Sequence, residues 1–368
     1  MPESESSSPR ATPLQEKHVA AGGRMVDFAG WLLPIQYESM LGEHRHCREA
    51  TSLFDTSHMG QFLIAGPTAA EELSRALTQN AEILPVGRGK YGFLLNDAGG
   101  VIDDTILFRL GRDEFLFVVN AGPADGDADV MRQRLSKAKL TIQGGWGKLD
   151  VQGPTSRAAL APLVEADLGA LPYFGCCRTR IHGRRGIVAR SGYTGELGYE
   201  VFLPAEDLPA LWDELVKNPD VKPAGLGARD SLRLEMAYPL YGHELSLQIN
   251  PIEADLGRYV DPFGPYVGAE ALRKVAQACL TRKLAALKSS QRRPFRTHDK
   301  IVAEGKEIGE ISSGAFSPSL EAAVGMGFLP AGFADISTEL IVKTARAEIP
   351  VTVVEKPFYK NGTCRKKQ

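Results

Sequence analysis

The segment Thr105-Ile-Leu-Phe-Arg-Leu110, Gly111-Arg-Asp-Glu114, Phe115-Leu-Phe-Val-Val-Asn120 decides the class of fold. Two runs rich in β-branched and aromatic residues flank a short polar turn, which predicts a β-hairpin. Helical patterns surround this hairpin at residues 67–77, 125–137, 205–216 and 268–280. Because hairpins and helices are interspersed without strict β-α-β alternation, the sequence favours an α+β fold over a doubly wound parallel sheet.

The character of the sequence changes near residue 280. Residues 283–356 contain short runs of Val, Ile, Gly and Ser separated by turn residues, which predicts a small β-barrel or sandwich. We therefore expect a C-terminal β-domain over residues 281–368 and a larger region over residues 12–280. Residues 1–11 are polar and partly acidic, so we expect a disordered tail and not a secretory signal.

Composition excludes several classes of protein. The chain has 368 residues, 24% of them charged, and a net charge of −2. Nucleic-acid binders usually carry a basic excess, so we expect no nucleic-acid partner. No apolar run reaches the roughly 18 residues of a membrane helix, and we expect no membrane partner. The five cysteines form no Cys-x-x-Cys pair, which favours a reducing compartment such as the cytoplasm and no thiolate metal site.

Two local motifs point to no binding site of their own. Gly225-Leu-Gly227-Ala-Arg-Asp230 lacks the third glycine and the preceding strand of a dinucleotide-binding loop. His44 and His46 are two residues apart on a predicted helix and would point to different faces, so they do not readily share a metal ion. We therefore expect no metal.

Several longer blocks carry a family resemblance. They are Arg24-Met-Val-Asp27-Phe-Ala-Gly-Trp31, Leu53-Phe-Asp55-Thr-Ser-His58-Met59-Gly60, Gly99-Gly-Val-Ile-Asp103-Asp104, Gly192-Tyr193-Thr-Gly-Glu196-Leu-Gly-Tyr-Glu200, Gly225-Leu-Gly-Ala-Arg229-Asp-Ser-Leu-Arg-Leu-Glu235 and Ser313-Gly-Ala-Phe-Ser-Pro318. With these blocks in family order and spacing, residues 12–360 resemble the glycine cleavage T-protein (aminomethyltransferase) family.

The resemblance implies both a fold and a reaction. The family fold is a three-domain cloverleaf around a central folate channel, with two α+β domains and a C-terminal β-barrel. Residues 12–280 would then hold the two α+β subdomains, one of them discontinuous. Members of the family transfer an aminomethyl carbon from the lipoyl arm of the H protein to tetrahydrofolate. The products are 5,10-methylenetetrahydrofolate, ammonia and dihydrolipoyl H protein.

Two carboxylates are the principal site candidates. The pterin edge presents an amino group and a ring N–H side by side, which one carboxylate accepts together. The resemblance assigns this anchor to Glu200, with Glu196 as the runner-up. Neighbouring residues of a strand face opposite sides, so only one of Asp103 and Asp104 would face the folate. The residues alone leave that choice open; the resemblance selects Asp103 as the catalytic carboxylate and leaves Asp104 as a turn cap.

Further positions match residues that line the family's folate channel. They are Arg229, Tyr193, Asn120, Met59, Tyr91 and Val118. Arg258 departs from the pattern, because the family usually has a tryptophan there, and pterin packing is therefore expected to differ. Two alternative functions remain: a folate-dependent demethylase of another small methylated donor, and a non-catalytic folate-binding assembly factor.

Overall fold

The computed structural model describes residues 8–366. Residues 1–7 of the predicted tail lie outside this range. The tail prediction is too long at its C-terminal end, because Arg10–Ala11 is a strand that pairs in parallel with Trp31 and Leu32. The resulting small sheet has the strand order Arg10–Ala11, Trp31–Gln36, Arg24–Phe28.

A six-stranded sheet forms one α+β unit. Its strand order is Cys176–Ile181, Arg184–Ala189, Gly198–Pro204, Trp146–Gln152, Thr51–Asp55 and Val221–Pro223. Its helices are Gln15–Ala20, Met40–Glu49, Ser156–Leu160, Leu208–Leu215 and Leu226–Glu235, with 3-10 turns at Ala161–Leu163 and Ala205–Asp207. Leu149 and Val151 alternate along the central strand and belong to one buried core with Leu211 and Trp212, because every second side chain of a strand points to the same face.

A five-stranded sheet forms the second α+β unit, and it lies in the chain between two neighbouring strands of the first. Its strand order is Arg88–Leu95, Val101–Gly111, Glu114–Val119, Gly60–Ala65 and Lys139–Ile142. The predicted hairpin is confirmed, with Ile106 opposite Val118. Helices Ala69–Ala76 and Ala124–Arg134 cover one face of the sheet, where Leu73 and Met131 share a core with Phe117. Within residues 8–366 the longest helix has 11 residues, and none is long and apolar enough to cross a membrane.

The C-terminal unit is a closed six-stranded barrel. Its strand order is Arg282–Lys288, Ala322–Pro330, Lys306–Ser317, Lys300–Ala303, Glu339–Lys343 and Glu348–Val354. Helix Ala269–Gln277 precedes the barrel, and 3-10 turns lie at Gly257–Tyr259 and Ala331–Phe333. Leu287, Ile301 and Val342 fill the barrel interior. The expected architecture of two α+β units followed by a barrel is confirmed.

One buried carboxylate connects the barrel to the α+β region. Glu235 ends helix Leu226–Glu235 and has no exposed surface. Arg48 donates to it over 2.8 Å from helix Met40–Glu49, and Ser319 of the barrel donates over 2.8 Å. His44 Nε2 lies 3.2 Å from the same carboxylate. Burial raises the pKa of Glu235, but bonds and charge from His44 and Arg48 outweigh burial and lower the pKa to about 2.

We expect Glu235→Gln to lower the free energy of unfolding by about 1–3 kcal/mol at neutral pH, because the buried Arg48 guanidinium loses one of its two carboxylate partners and keeps only Glu196. A carboxyl group with a lowered pKa stabilises the fold above its unfolded-state pKa. That contribution is lost as the pH falls from 4.5 towards about 2. Urea unfolding at several pH values would therefore show that the difference in the free energy of unfolding between wild type and Glu235→Gln becomes smaller at acidic pH. The exposed Glu270→Gln is the control, and an equal effect of both variants would refute this role.

Candidate active site

The two α+β sheets meet face to face through a shared apolar cluster. Val118 of the five-stranded sheet and Phe202 of the six-stranded sheet belong to this cluster, and Met59 packs against it. Val118 is 1% exposed and is therefore part of the core, whereas Met59 is half-buried. Polar side chains next to this cluster come from both sheets, so the predicted residues of the two sheets lie around one region of the molecule.

Strand alternation decides which of the two neighbouring aspartates faces this region. Asp104 lies on the same face of its strand as Ile106, which packs against the inter-sheet cluster. Asp103 lies on the other face with Leu107, which packs beneath the helices. Asp103 is fully buried and Asp104 is half-buried. Strand alternation thus turns Asp104, and not Asp103, towards the region between the sheets, while the catalytic role of Asp103 stays a prediction.

Asn120 holds both aspartates. Its side-chain amide donates to Asp103 Oδ1 over 2.7 Å and to Asp104 Oδ1 over 2.8 Å, while its backbone N–H donates to Asp103 Oδ2 over 2.8 Å. Tyr91 completes the arrangement, because its hydroxyl donates to Asp104 Oδ2 over 2.9 Å. The expected turn-capping role of Asp104 is wrong: Asp104 is inside a strand, and its carboxyl group binds two side chains.

These acids are poised to carry protons. Burial and the nearby Asp104 and Asp127 raise the pKa of Asp103 well above its usual value. Burial also raises the pKa of Asp104 to about 6, against the opposing effect of bonds from Tyr91 and Asn120. A carboxyl group whose pKa lies near neutrality can exchange a proton or ionise beside a developing positive charge.

The six-stranded sheet contributes a buried carboxylate that is paired with a lysine. Glu200 is 4% exposed. Lys148 Nζ donates to its Oε1 over 2.9 Å, and the Ser191 hydroxyl donates to its Oε2 over 2.8 Å. Lys148 Nζ also lies 2.6 Å from Asp150 Oδ1. Because a carboxylate has about four acceptor positions, these two donors leave two positions of Glu200 unused.

Arg229 and Tyr193 connect Glu200's network to the aspartates. Arg229 Nη1 lies 3.1 Å from Asp150 Oδ2, and its guanidinium carbon is 5.0 Å from the centre of the Tyr193 ring. Burial raises the pKa of Tyr193; Arg233 opposes the rise, and the charge of Asp104 adds to it. Asp104 is therefore an electrostatic neighbour of Tyr193. The structure brings together Asp104, Asn120, Tyr91, Tyr193, Arg229 and Glu200.

The remaining candidates lie elsewhere or play a different part. Glu196, the alternative anchor, is 2.9 Å from Arg48 and accepts a hydrogen bond from the backbone N–H of Thr363, so its carboxylate holds the C-terminal segment. Arg258 is exposed and stacks on Tyr259 at 4.9 Å, and Tyr259 packs edge-on against Tyr91 at 4.9 Å. Arg258, which departs from the family pattern, thus contacts Tyr259, and Tyr259 in turn contacts Tyr91.

Sequence reasoning missed Lys148 and Asp150. Both are fully buried, together with Gln152 on the same face of strand Trp146–Gln152. The signal was present, because polar residues alternate there with Leu149 and Val151. A polar face on a central strand indicates a buried network, since unpaired buried charges are strongly unfavourable. No group of three His, Cys, Asp or Glu side chains within residues 8–366 could hold a metal ion.

We expect Lys148→Met to lower the free energy of unfolding by about 3–5 kcal/mol, because two buried carboxylates lose their shared cation. Chemical denaturation of the purified variant measures this loss. Lys217→Met removes a lysine from an exposed pair with Glu214 and should change stability little. If both variants unfolded at the same denaturant concentration, the buried lysine would not be a structural counter-ion.

Comparison with known proteins places this geometry in a family. The model of the GCVT N-terminal domain matches residues 14–262, and that of the glycine cleavage T-protein C-terminal barrel domain matches residues 282–360. An aminomethyltransferase from Saccharopolyspora erythraea is 40% identical over 97% of this chain and 100% of that protein. One from Herpetosiphon aurantiacus is 37% identical over 95% of this chain and 98% of that protein.

A solved structure agrees with these sequence matches. The crystal structure of the glycine cleavage system aminomethyltransferase T from Bartonella henselae superimposes with a TM-score of 0.91 and 34% identity. The match covers 96% of this chain and 98% of that chain. The chain belongs to the glycine cleavage T-protein family.

Proposed function

We propose that this protein is the aminomethyltransferase of a glycine cleavage system. It takes the aminomethyl carbon from the lipoyl arm of an H protein, passes it to tetrahydrofolate and releases ammonia. Relatives that span almost the whole chain carry the aminomethyltransferase name. The five free thiols suit a reducing compartment, and we place the reaction in the cytoplasm. No observation favours the demethylase or the assembly-factor alternative.

The single observation that carries the proposal is the placement, on two facing sheets, of a carboxylate paired with a buried lysine and of a carboxylate with a raised pKa. Lys148 Nζ lies 2.9 Å from Glu200 Oε1. Asp104 has a pKa of about 6 and is held by Tyr91 and Asn120. Glu200 is suited to accept hydrogen bonds from the uncharged N–H edge of a ligand. Asp104 is suited to interact with a charge that changes during the reaction.

Glu200 is the proposed pterin anchor. Its two free acceptor positions match the paired amino and ring N–H donors of a pterin, and each charge-assisted bond contributes about 1.5–3 kcal/mol. Tyr193 and Tyr91 offer aromatic faces for flat rings. Arg229 stacks on Tyr193 and fixes its orientation. The bound tetrahydrofolate supplies the nitrogen atoms that receive the one-carbon unit.

Asp104 is the proposed catalytic carboxylate in place of Asp103. As ammonia leaves, positive charge develops on the transferred carbon, and a carboxylate aimed at that charge stabilises the transition state. Asn120 and Tyr91 fix the direction of the Asp104 oxygens, so little reorganisation is needed during the reaction. Asp103 supports this arrangement from behind, through Asn120.

The activity test mixes the protein with aminomethylated H protein and tetrahydrofolate and measures ammonia. Folate-stimulated ammonia release is expected. Absence of release with an H protein that other T proteins accept would falsify the proposed function.

Two variants separate binding from catalysis. Asp104→Asn should lower kcat by about 100-fold or more, because an amide cannot supply the charge or the proton, while the dissociation constant for tetrahydrofolate changes little. Glu200→Gln should weaken tetrahydrofolate binding about 10- to 100-fold, as expected for losing about 1.4–2.8 kcal/mol. Asp129→Asn and Glu270→Gln are exposed controls. A normal kcat in Asp104→Asn would remove the catalytic assignment.

A further inference from the structure

A short segment after the barrel binds the loop that carries Tyr193. The family model of the barrel domain matches residues 282–360, and residues 361–366, which follow it, form neither helix nor strand. We call residues 361–366 the strap. Residues 190–197 connect two strands of the six-stranded sheet, and we call them the Tyr193 loop. An irregular segment beyond a domain is usually poorly ordered unless other residues hold it, so the contacts of the strap indicate its role.

Thr363 makes the central contact of the strap. Its hydroxyl donates to Glu196 Oε2 and accepts from the backbone N–H of Leu197 over 2.7 Å. The backbone N–H of Thr363 donates to the same Glu196 oxygen over 3.2 Å. Glu196 and Leu197 are both buried. One hydroxyl group thus serves a buried carboxylate as a donor and a buried N–H as an acceptor.

Backbone contacts continue on both sides of Thr363. The backbone N–H of Cys364 donates to the Gly195 carbonyl over 3.1 Å. Arg190, which is buried, donates to the carbonyls of Cys364 over 3.2 Å and Lys366 over 2.6 Å. Gly362 lies so close to the loop that an added Cβ would be 2.5 Å from the Gly195 oxygen. The strap therefore follows the Tyr193 loop from one end to the other.

The Tyr193 loop supplies two groups of the proposed tetrahydrofolate site. The Ser191 hydroxyl donates to Glu200 Oε2 over 2.8 Å. The guanidinium carbon of Arg229 lies 5.0 Å from the centre of the Tyr193 ring. Because this loop lies outside the strand ladder, contacts from other segments must fix its conformation.

Glu196 joins the strap to the α+β region. Its Oε1 atom lies 2.9 Å from Arg48 Nη1, while its Oε2 atom accepts from Thr363. Arg48 Nη1 also donates to the carbonyl of Thr194 over 2.6 Å. The Tyr193 loop is thus held by helix Met40–Glu49 through one oxygen of Glu196 and by the strap through the other.

We propose that the strap fixes the conformation of the Tyr193 loop, and that Thr363 is a positioning residue for tetrahydrofolate binding. This proposal rests on the proposed function for its effect on the ligand. A loop that is already ordered costs little further entropy when the ligand binds. Asp104 lies on the other sheet, so the strap acts on binding of tetrahydrofolate more than on the chemical step.

Two substitutions at one position test the role of the hydroxyl group. Thr363→Val keeps the shape of the side chain and removes the hydroxyl, so the Leu197 N–H and one Glu196 oxygen each lose a partner. We expect the dissociation constant for tetrahydrofolate to rise about 10-fold, with kcat at saturating tetrahydrofolate within about threefold of wild type. Thr363→Ser restores the hydroxyl and should bind within about threefold of wild type.

Gly362→Ala gives a second test, because its methyl group would displace the strap from the Gly195 carbonyl. It should raise the same dissociation constant, and it decides the proposal if Thr363→Val does not fold. Asn361→Ala changes an exposed side chain of the strap and is the matched control. A purely structural role would lower the free energy of unfolding in urea and leave the dissociation constant of the folded protein unchanged.

Hydrogen exchange measures the conformation of the loop without any ligand. Peptides that cover residues 190–197 should exchange about 10-fold faster or more in Thr363→Val than in wild type. Thr363→Ser and Asn361→Ala should keep the wild-type rate. Unchanged exchange in Thr363→Val overturns the proposal, and so does equal tetrahydrofolate binding by the valine and serine variants. Neither measurement needs an H protein, so if both agree while no ammonia is released, only the proposed function fails.

Discussion

The buried carboxylate of Glu235 is the interaction on which the relative positions of the units depend. Within the described residues, it receives donors from helix Met40–Glu49 and from the barrel, while its own helix carries Arg229 into the site. Such a pairing is stable only when every partner is in place, because desolvation is offset by direct bonds alone. A displacement of the barrel would therefore break the hydrogen bond from Ser319 to Glu235.

The acids of this protein fall into two groups that differ in their neighbours. Glu200, Asp150 and Glu235 each lie against a buried cation. Asp103, Asp104 and Asp127 lie together without a cation, and burial raises the pKa of each of them. The same chemical group thus serves as a fixed acceptor on one sheet and as a proton-exchanging group on the other. The environment, not the residue type, assigns the role.

The sequence specifies local features of this fold more clearly than its contacts. The hairpin that ends at Asn120 follows from two apolar runs and a turn, and the barrel follows from short strands after residue 280. The family blocks pointed to Glu200 and to the Asp103–Asp104 pair. The resemblance selected Asp103 of that pair, but the residues alone left the choice open, because it depends on which face of the strand meets the other sheet. Lys148 escaped attention because Glu200, one of its partners, lies 52 residues away along the chain.

The insertion of one sheet between two neighbouring strands of another has a consequence for folding. Strands Thr51–Asp55 and Trp146–Gln152 pair directly, yet the whole five-stranded unit separates them in the chain. Within that unit, Phe62 pairs with Ile142, so completing it brings its two ends together. Pairing Thr51–Asp55 with Trp146–Gln152 then costs the entropy of closing a short loop instead of a long one. Early formation of the inserted unit would turn this long-range pairing of the six-stranded sheet into a nearly local event.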